Sequence, residues 1–226
     1  MNKKNEIKNT TAMQTATAAQ ETNKAEKTTS DVAQATNDTT KVTSNTPRIA
    51  ALNELKKEAG VLQMNGLPYM LASLVIWSLI LLWQFVIKNV VIQNWLTFFS
   101  TPILMPVAYL VSKPLGADIF KKTDNPVSKL AFLCTMNQML YILIVMWAFS
   151  ESPKAMVMLF ACIFGAHLLP FAWTYNCKSY MVCSIVEAIG SIFIGSFLGN
   201  KILIPFMLAL QIILCISLWR GIKKSE

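Results

Sequence analysis

Residues 66–87 read GLPYMLASLVIWSLILLWQFVI, a run without one charged side chain. As a helix it rises about 33 Å, enough to cross the ~30 Å hydrocarbon layer of a bilayer. Five comparable stretches follow, near 91–112, 128–149, 155–174, 179–199 and 202–219. Lipid offers a peptide group no hydrogen-bond partner, so segments of this kind close their backbone bonds internally as helices. The sequence therefore reads as an all-α, polytopic membrane protein with six transmembrane helices. A composition of 54% hydrophobic and 14% charged residues lies outside the usual range of soluble domains and agrees.

The formal net charge of +8 does not point to nucleic acid, because Lys and Arg are scattered through loops and the N-terminal tail rather than gathered on one surface. Membrane topology accounts for them. With the N-terminus inside, the inner flanks collect Lys56, Lys57, Lys113, Lys121, Lys122, Lys129, Lys178, Arg220, Lys223 and Lys224, and the outer loops hold only Lys88, Lys154 and Lys201. This asymmetry places both termini in the cytoplasm. Tyr69, Tyr109, Trp173, Tyr175, Tyr180 and Trp219 fall near inner ends, and Trp83, Trp95 and Trp147 near outer ones, as interfacial aromatic residues do. The five cysteines form no CxxC pair and read as reduced, small apolar residues.

Residues 1–47 are a different material, rich in Thr, Ala, Asn, Gln and Lys and without aromatic side chains, and are expected to be a disordered cytoplasmic tail. Their acids and bases nearly cancel, which fits neither a signal peptide nor a transit peptide. From Thr46 and Pro47 the pattern changes to Ile49, Leu52, Leu55, Ala59 and Leu62 at helical spacing. Residues 48–64 thus read as an interfacial helix or a solvated lead-in, followed by a membrane domain at 65–221 and a basic end at 222–226.

Pro102 and Pro106 predict a kink or break in the second span. In the fifth, Ser184, Ala188, Ser191, Gly195 and Gly199 form a small-residue stripe that lets a neighbouring helix approach closely. Counting ~1.5 Å per residue from the inner helix ends puts Asn137, Gln138, His167, Glu187 and Gln211 in one layer roughly 10 to 15 Å deep. His167 and Glu187 are on consecutive antiparallel helices at matching height, so the pair is expected to meet, with Glu187 turned into protein beside Ser184 and Ser191. A carboxyl at that depth needs a partner or a watery recess. Two readings stand side by side: a protonatable centre that binds a small polar solute or relays a proton, and a static hydrogen-bonded clasp between helices.

Enzyme signatures are missing. The lone His makes no multi-histidine metal site, and HExxH, GxSG and Walker patterns are absent, so no catalytic residue, metal or cofactor is expected. The spacing gives no support to Cys162 or Cys183 as a nucleophile with His167. Four short stretches, Asn65-Gly66-Leu67-Pro68, Asn137-Gln138, Gly165-Ala166-His167-Leu168-Leu169-Pro170 and Tyr175-Asn176, together resemble an uncharacterised family of small bacterial integral membrane proteins, a domain of unknown function. The likeness covers Leu52 to the C-terminus. It implies a bacterial cytoplasmic membrane location and carries no chemistry. The leading expectation is a permease-like or solute-binding protein. The alternative is a structural, immunity or accessory subunit that docks a protein partner through the Lys113–Lys129 loop or forms a homo-oligomer.

Overall fold

The computed structural model describes residues 47–225, with side chains through Lys223. The tail expectation falls on residues outside that range. The chain divides at Leu52 into two compact units. Of the first, residues 47–52 are described, and they are helical. The second, Asn53–Glu226, consists of helices and turns, with no strand among the described residues.

Helical residues 53–62 (α1) are followed by α2 (Leu67–Val86), α3 (Val90–Ser100), α4 (Leu104–Leu115), α5 (Pro126–Glu151), α6 (Met156–His167), α7 (Leu169–Thr174), α8 (Lys178–Phe197) and α9 (Asn200–Ser225). Among the described residues six stretches are long and apolar enough to cross a membrane: Met64–Val86, Val90–Leu115, Pro126–Glu151, Met156–Thr174, Lys178–Phe197 and Asn200–Lys223. Every boundary lies within four residues of the one read from sequence. The core is built by α2, α6, α8 and α9, where Trp77, Ile80, Met156, Leu203, Met207 and Leu214 are buried. In contrast, α5 buries few of its side chains, Val127, Ser128, Ala131, Val145 and Ala148 among them, so it lies at the margin.

Two of the six stretches are interrupted. The break expected at the prolines of the second is a 3-10 turn, Thr101–Ile103, between α3 and α4. The other break was not anticipated. Pro170 has no amide hydrogen to continue the ladder, and the chain turns at Leu168, whose N–H donates to the Gly165 carbonyl at 3.1 Å. His167 is therefore the last residue of α6 rather than a mid-helix residue.

At the end of the bundle that carries the 116–125 loop, Met64, Asn65 and Gly66 have φ of 47°, 51° and 77°. This left-handed run turns the chain from α1 into α2. Only Gly fits the third position, because a Cβ there would lie 2.8 Å from Tyr180 Oη. The Tyr180 hydroxyl donates to the Asn65 carbonyl at 2.7 Å. Leu55, Ala59 and Leu62 of α1 face inward, as the sequence pattern predicts. Lys56 Nζ sits 3.6 Å from the centre of the Trp173 ring.

The 116–125 loop is fastened to α1. The Asp118 amide donates to the Leu62 carbonyl at 3.2 Å. Asn125 Nδ2 donates to the Leu55 carbonyl at 2.8 Å and to Glu58 Oε2 at 3.0 Å, while its Oδ1 accepts the Val127 amide at 2.8 Å and so caps α5. Asn125→Ala is expected to lose about 1–2 kcal/mol through the cap and to expose α1 to proteases. Asn125→Asp keeps the cap but sets a carboxylate against Glu58, so it should free α1 with a smaller drop in melting temperature. Limited proteolysis read beside a thermal melt separates the two effects.

Candidate functional site

The five polar residues singled out from sequence do not form one layer of contacts; the structure distributes them over three places. Glu187 and Gln211 are fully buried between α8, α9 and α2. Gln211 Nε2 donates to Glu187 Oε1 at 2.8 Å. Ser73 Oγ lies 2.9 Å from Gln211 Oε1 and 2.7 Å from the Met70 carbonyl, both acceptors, so its single hydrogen is shared between them. The other carboxyl oxygen, Glu187 Oε2, is buried without a partner. The result is a hydroxyl–amide–carboxyl chain from α2 through α9 to α8, open at its carboxyl end.

The expected contact between His167 and Glu187 is not made. Glu187 does face α6, but the residue opposite it is Gly165: a Cβ on Gly165 would lie 2.6 Å from Glu187 Cβ and 2.7 Å from the Ala188 nitrogen. His167 is two residues further along, about 200° around an α-helix, and points away from α8. Its ring instead meets Phe171 edge-on at 5.2 Å and Phe164 at 6.2 Å. His167 is partly exposed as a residue, yet both ring nitrogens are out of solvent reach and without a hydrogen bond of good geometry; the Phe164 carbonyl, one turn back, lies beside the ring.

Gln138 and Asn137 diverge because neighbouring residues on a helix are 100° apart. Gln138 is half-buried and lines two small cavities between α2, α5 and α6, of about 50 and 30 Å³. Asn137 is exposed, donates to Tyr141 Oη at 2.8 Å, and lines a groove of about 760 Å³ between α5 and α6. His167 borders that groove and the smaller of the cavities.

The small-residue stripe of α8 serves two neighbours. Glu187 and Ala188 receive Gly165 of α6, Gly195 receives Met158, and Ser191 Oγ lies 3.4 Å from Met207 Sδ of α9. Gly199 is not part of the stripe; with φ of 78° it forms the turn into α9.

Sequence reasoning passed over Ser73 and Trp77, which line the larger cavity, and Tyr69 and Tyr175, which line the smaller. Serine in an apolar helix bonds its own backbone and raises no alarm. The signal that was available is spacing: Tyr69, Ser73 and Trp77 recur every four residues and put three polar-tipped side chains on one face of α2.

Near the 116–125 loop a wider vestibule of about 610 Å³ is lined by Lys121, Lys122, Lys129, Asp124, Gln63 and Ser128, with Lys129 Nζ 3.3 Å from Asp124 Oδ1, so its balance is basic. Tyr69, Thr135, Phe171 and Tyr175 border both this vestibule and the smaller cavity. Burial, and then the neighbouring Tyr69, push the Tyr175 phenol above its ordinary value, so it stays a donor. It donates to Gln63 Oε1 at 2.6 Å.

These features define an all-helical bundle of six apolar, membrane-length helices around a buried polar chain and a small adjoining chamber. The protein belongs to DUF7010, a family of unknown function whose model matches residues 52–221. The short motifs that carry the resemblance converge in this region: Gly66 beside Tyr175 and Tyr180, Gly165 against Glu187, and Gln138 and His167 on the cavity wall. No curated protein and no solved structure matches the chain.

Proposed function

We propose that the protein is a solute-binding membrane protein of permease type, set in the bacterial cytoplasmic membrane with both termini on the cytoplasmic side. Its polar site combines the protonatable Glu187, held by Gln211 and Ser73, with Gln138 and His167 on the chamber wall and Asn137 in the adjoining groove. The lysine asymmetry supports the orientation, and it makes the basic vestibule the cytoplasmic mouth. One observation carries the functional reading: Glu187 is wholly buried with one oxygen bonded and the other unmatched. A carboxyl serving only as a clasp is expected to have both oxygens satisfied, because an unmatched buried polar atom is a standing penalty.

Glu187→Gln keeps the shape, and its new amide oxygen still accepts from Gln211, but the protonatable oxygen becomes an N–H donor. In vesicles containing the purified chain, proton uptake and the entry of a panel of small neutral, cationic and anionic solutes are measured. At least one flux is expected, and it should fall at least tenfold in Glu187→Gln and measurably in His167→Ala while both variants melt near the parent. Unchanged flux in both variants, or no flux of any probe, sinks the reading.

Exposed Phe120 beside exposed Lys121 and Lys122 favours a second reading, an accessory subunit that docks a protein partner through this loop. Co-purification of one defined partner, lost on replacing these three residues in a chain that moves no solute, would establish it instead.

A further inference from the structure

The two cavities beside Ser73 adjoin, with Ser73, Leu104, Gln138 and Phe164 bordering both, and are treated together as one chamber. At about 50 and 30 Å³ they hold more than a single water, which needs roughly 10–15 Å³ on the same measure. The space suits a few waters or a solute of a few heavy atoms. No Asp, Glu, Lys or Arg borders either cavity. The nearest formal charge in the polar chain, Glu187, stands behind Gln211 and Ser73. An ion entering this space would lose its hydration without meeting a counter-charge.

The chamber also contains unmet hydrogen-bonding capacity. Trp77, 1% exposed, has its Nε1–H without a partner, and His167, beside the Phe164 carbonyl, makes no hydrogen bond of good geometry at either nitrogen. The indole is a donor only, a neutral imidazole offers one donor and one acceptor, and the Gln138 amide offers both. Trp77 borders the larger cavity, His167 the smaller and Gln138 both, and unmatched buried groups beside a cavity favour an occupant with matching groups. Ile76, Leu104, Phe160 and Phe164 supply the apolar remainder of the wall.

We propose that this chamber is a binding site for a small uncharged solute bearing both hydrogen-bond donors and acceptors, of the urea or carboxamide class, admitted from the basic vestibule past Tyr69 and Tyr175. The assignment rests on the permease-type reading above and specifies its substrate class. Trp77 Nε1–H donates to the carbonyl oxygen of the solute, and Gln138 and His167 take up its N–H groups and remaining acceptor capacity.

The test uses probes of one shape and three charges. Urea, guanidinium and nitrate are all planar and three-pronged, with charge zero, plus one and minus one. The full chain is reconstituted in phosphatidylethanolamine and phosphatidylglycerol vesicles, and reswelling after an osmotic shift is followed by light scattering. Urea, with acetamide as a second neutral probe, is expected to enter at least fivefold faster than into protein-free vesicles, with guanidinium and nitrate at background. Gln138→Leu and Trp77→Phe should each lower urea entry several-fold. Gln138→Glu places a charge on the wall and should exchange urea entry for guanidinium entry, an outcome that a misfolded variant does not produce. Guanidinium or nitrate entering the parent while urea does not would overturn the substrate class and leave the permease reading standing. Faster water flow with every solute at background would overturn both. Urea entry indifferent to all three variants would remove the site from this chamber.

Discussion

Gly165→Val is expected to separate α6 from α8 and to cause a large loss of stability. A Cβ at residue 165 would lie 2.6 Å from Glu187 Cβ, 2.7 Å from the Ala188 nitrogen and 3.0 Å from the Glu187 carbonyl carbon. Two of those three atoms are backbone, so relief requires moving one helix against the other. Overpacking of a tight contact typically costs 1–3 kcal/mol and sometimes more. Gly165→Ala recovers about 1 kcal/mol of helix propensity and should still be net destabilising, with valine worse because of its branching. Gly195 is the internal control. The atoms that would crowd its Cβ belong to the side chain of Met158, which can change rotamer. Melting temperatures in detergent should therefore fall far more for Gly165→Ala than for Gly195→Ala. Equal shifts would mean that α6 and α8 do not meet at Gly165.

Gln211→Leu is the second large effect. It removes the one hydrogen bond of the Glu187 carboxyl and leaves a fully buried acid with no partner, whereas Ser73 retains the Met70 carbonyl. Stranding a buried polar group costs about 1–3 kcal/mol, and more when it is charged. Adding Glu187→Leu removes the stranded group, and exchanging both partners for apolar residues of similar size can be nearly neutral. The double variant is thus expected to melt close to the parent, above Gln211→Leu alone, and to be inactive in the flux assays. That pattern would show a polar pair retained for what it does rather than for the fold. A double variant no more stable than the single would make the pair a structural clasp, the other reading its sequence allowed. Residues in direct contact are expected to be non-additive, and the coupling is read from the four-membered cycle.

How far the sequence could be read follows from what each signal measures. Apolar length is one-dimensional, and it located all six helical stretches. The helix face that Glu187 shares with the small residues Ser184 and Ser191 turned it inward, and all three are buried. Height alone does not fix direction around a helix axis, and there the reading of His167 failed. Gly165 was the missing information: the only residue type that lets the α8 backbone approach this closely decides which face of α6 is turned to Glu187, and His167 is left on the other side. Pro102 announced its break because it sits in mid-span with a second proline one turn on. Pro170 lies close to the end of its span, where prolines are commonplace, and the turn at Leu168 stayed hidden. Ser73 and Trp77 look like ordinary members of an apolar helix until a third dimension brings Gln138 opposite them.

The interruptions at Thr101–Ile103 and at Leu168 stand in two walls of the same chamber. An unbroken rod that tilts at one tip must tilt along its whole length. A jointed one need not, yet here the segments beyond the joints are held too, α4 by Ala108 packed against Ala72 of α2 and α7 by the buried Phe171 and Thr174. The molecule thus carries a pair of joints flanking its hollow, each changing the course of a wall while the packing on both sides of it is kept.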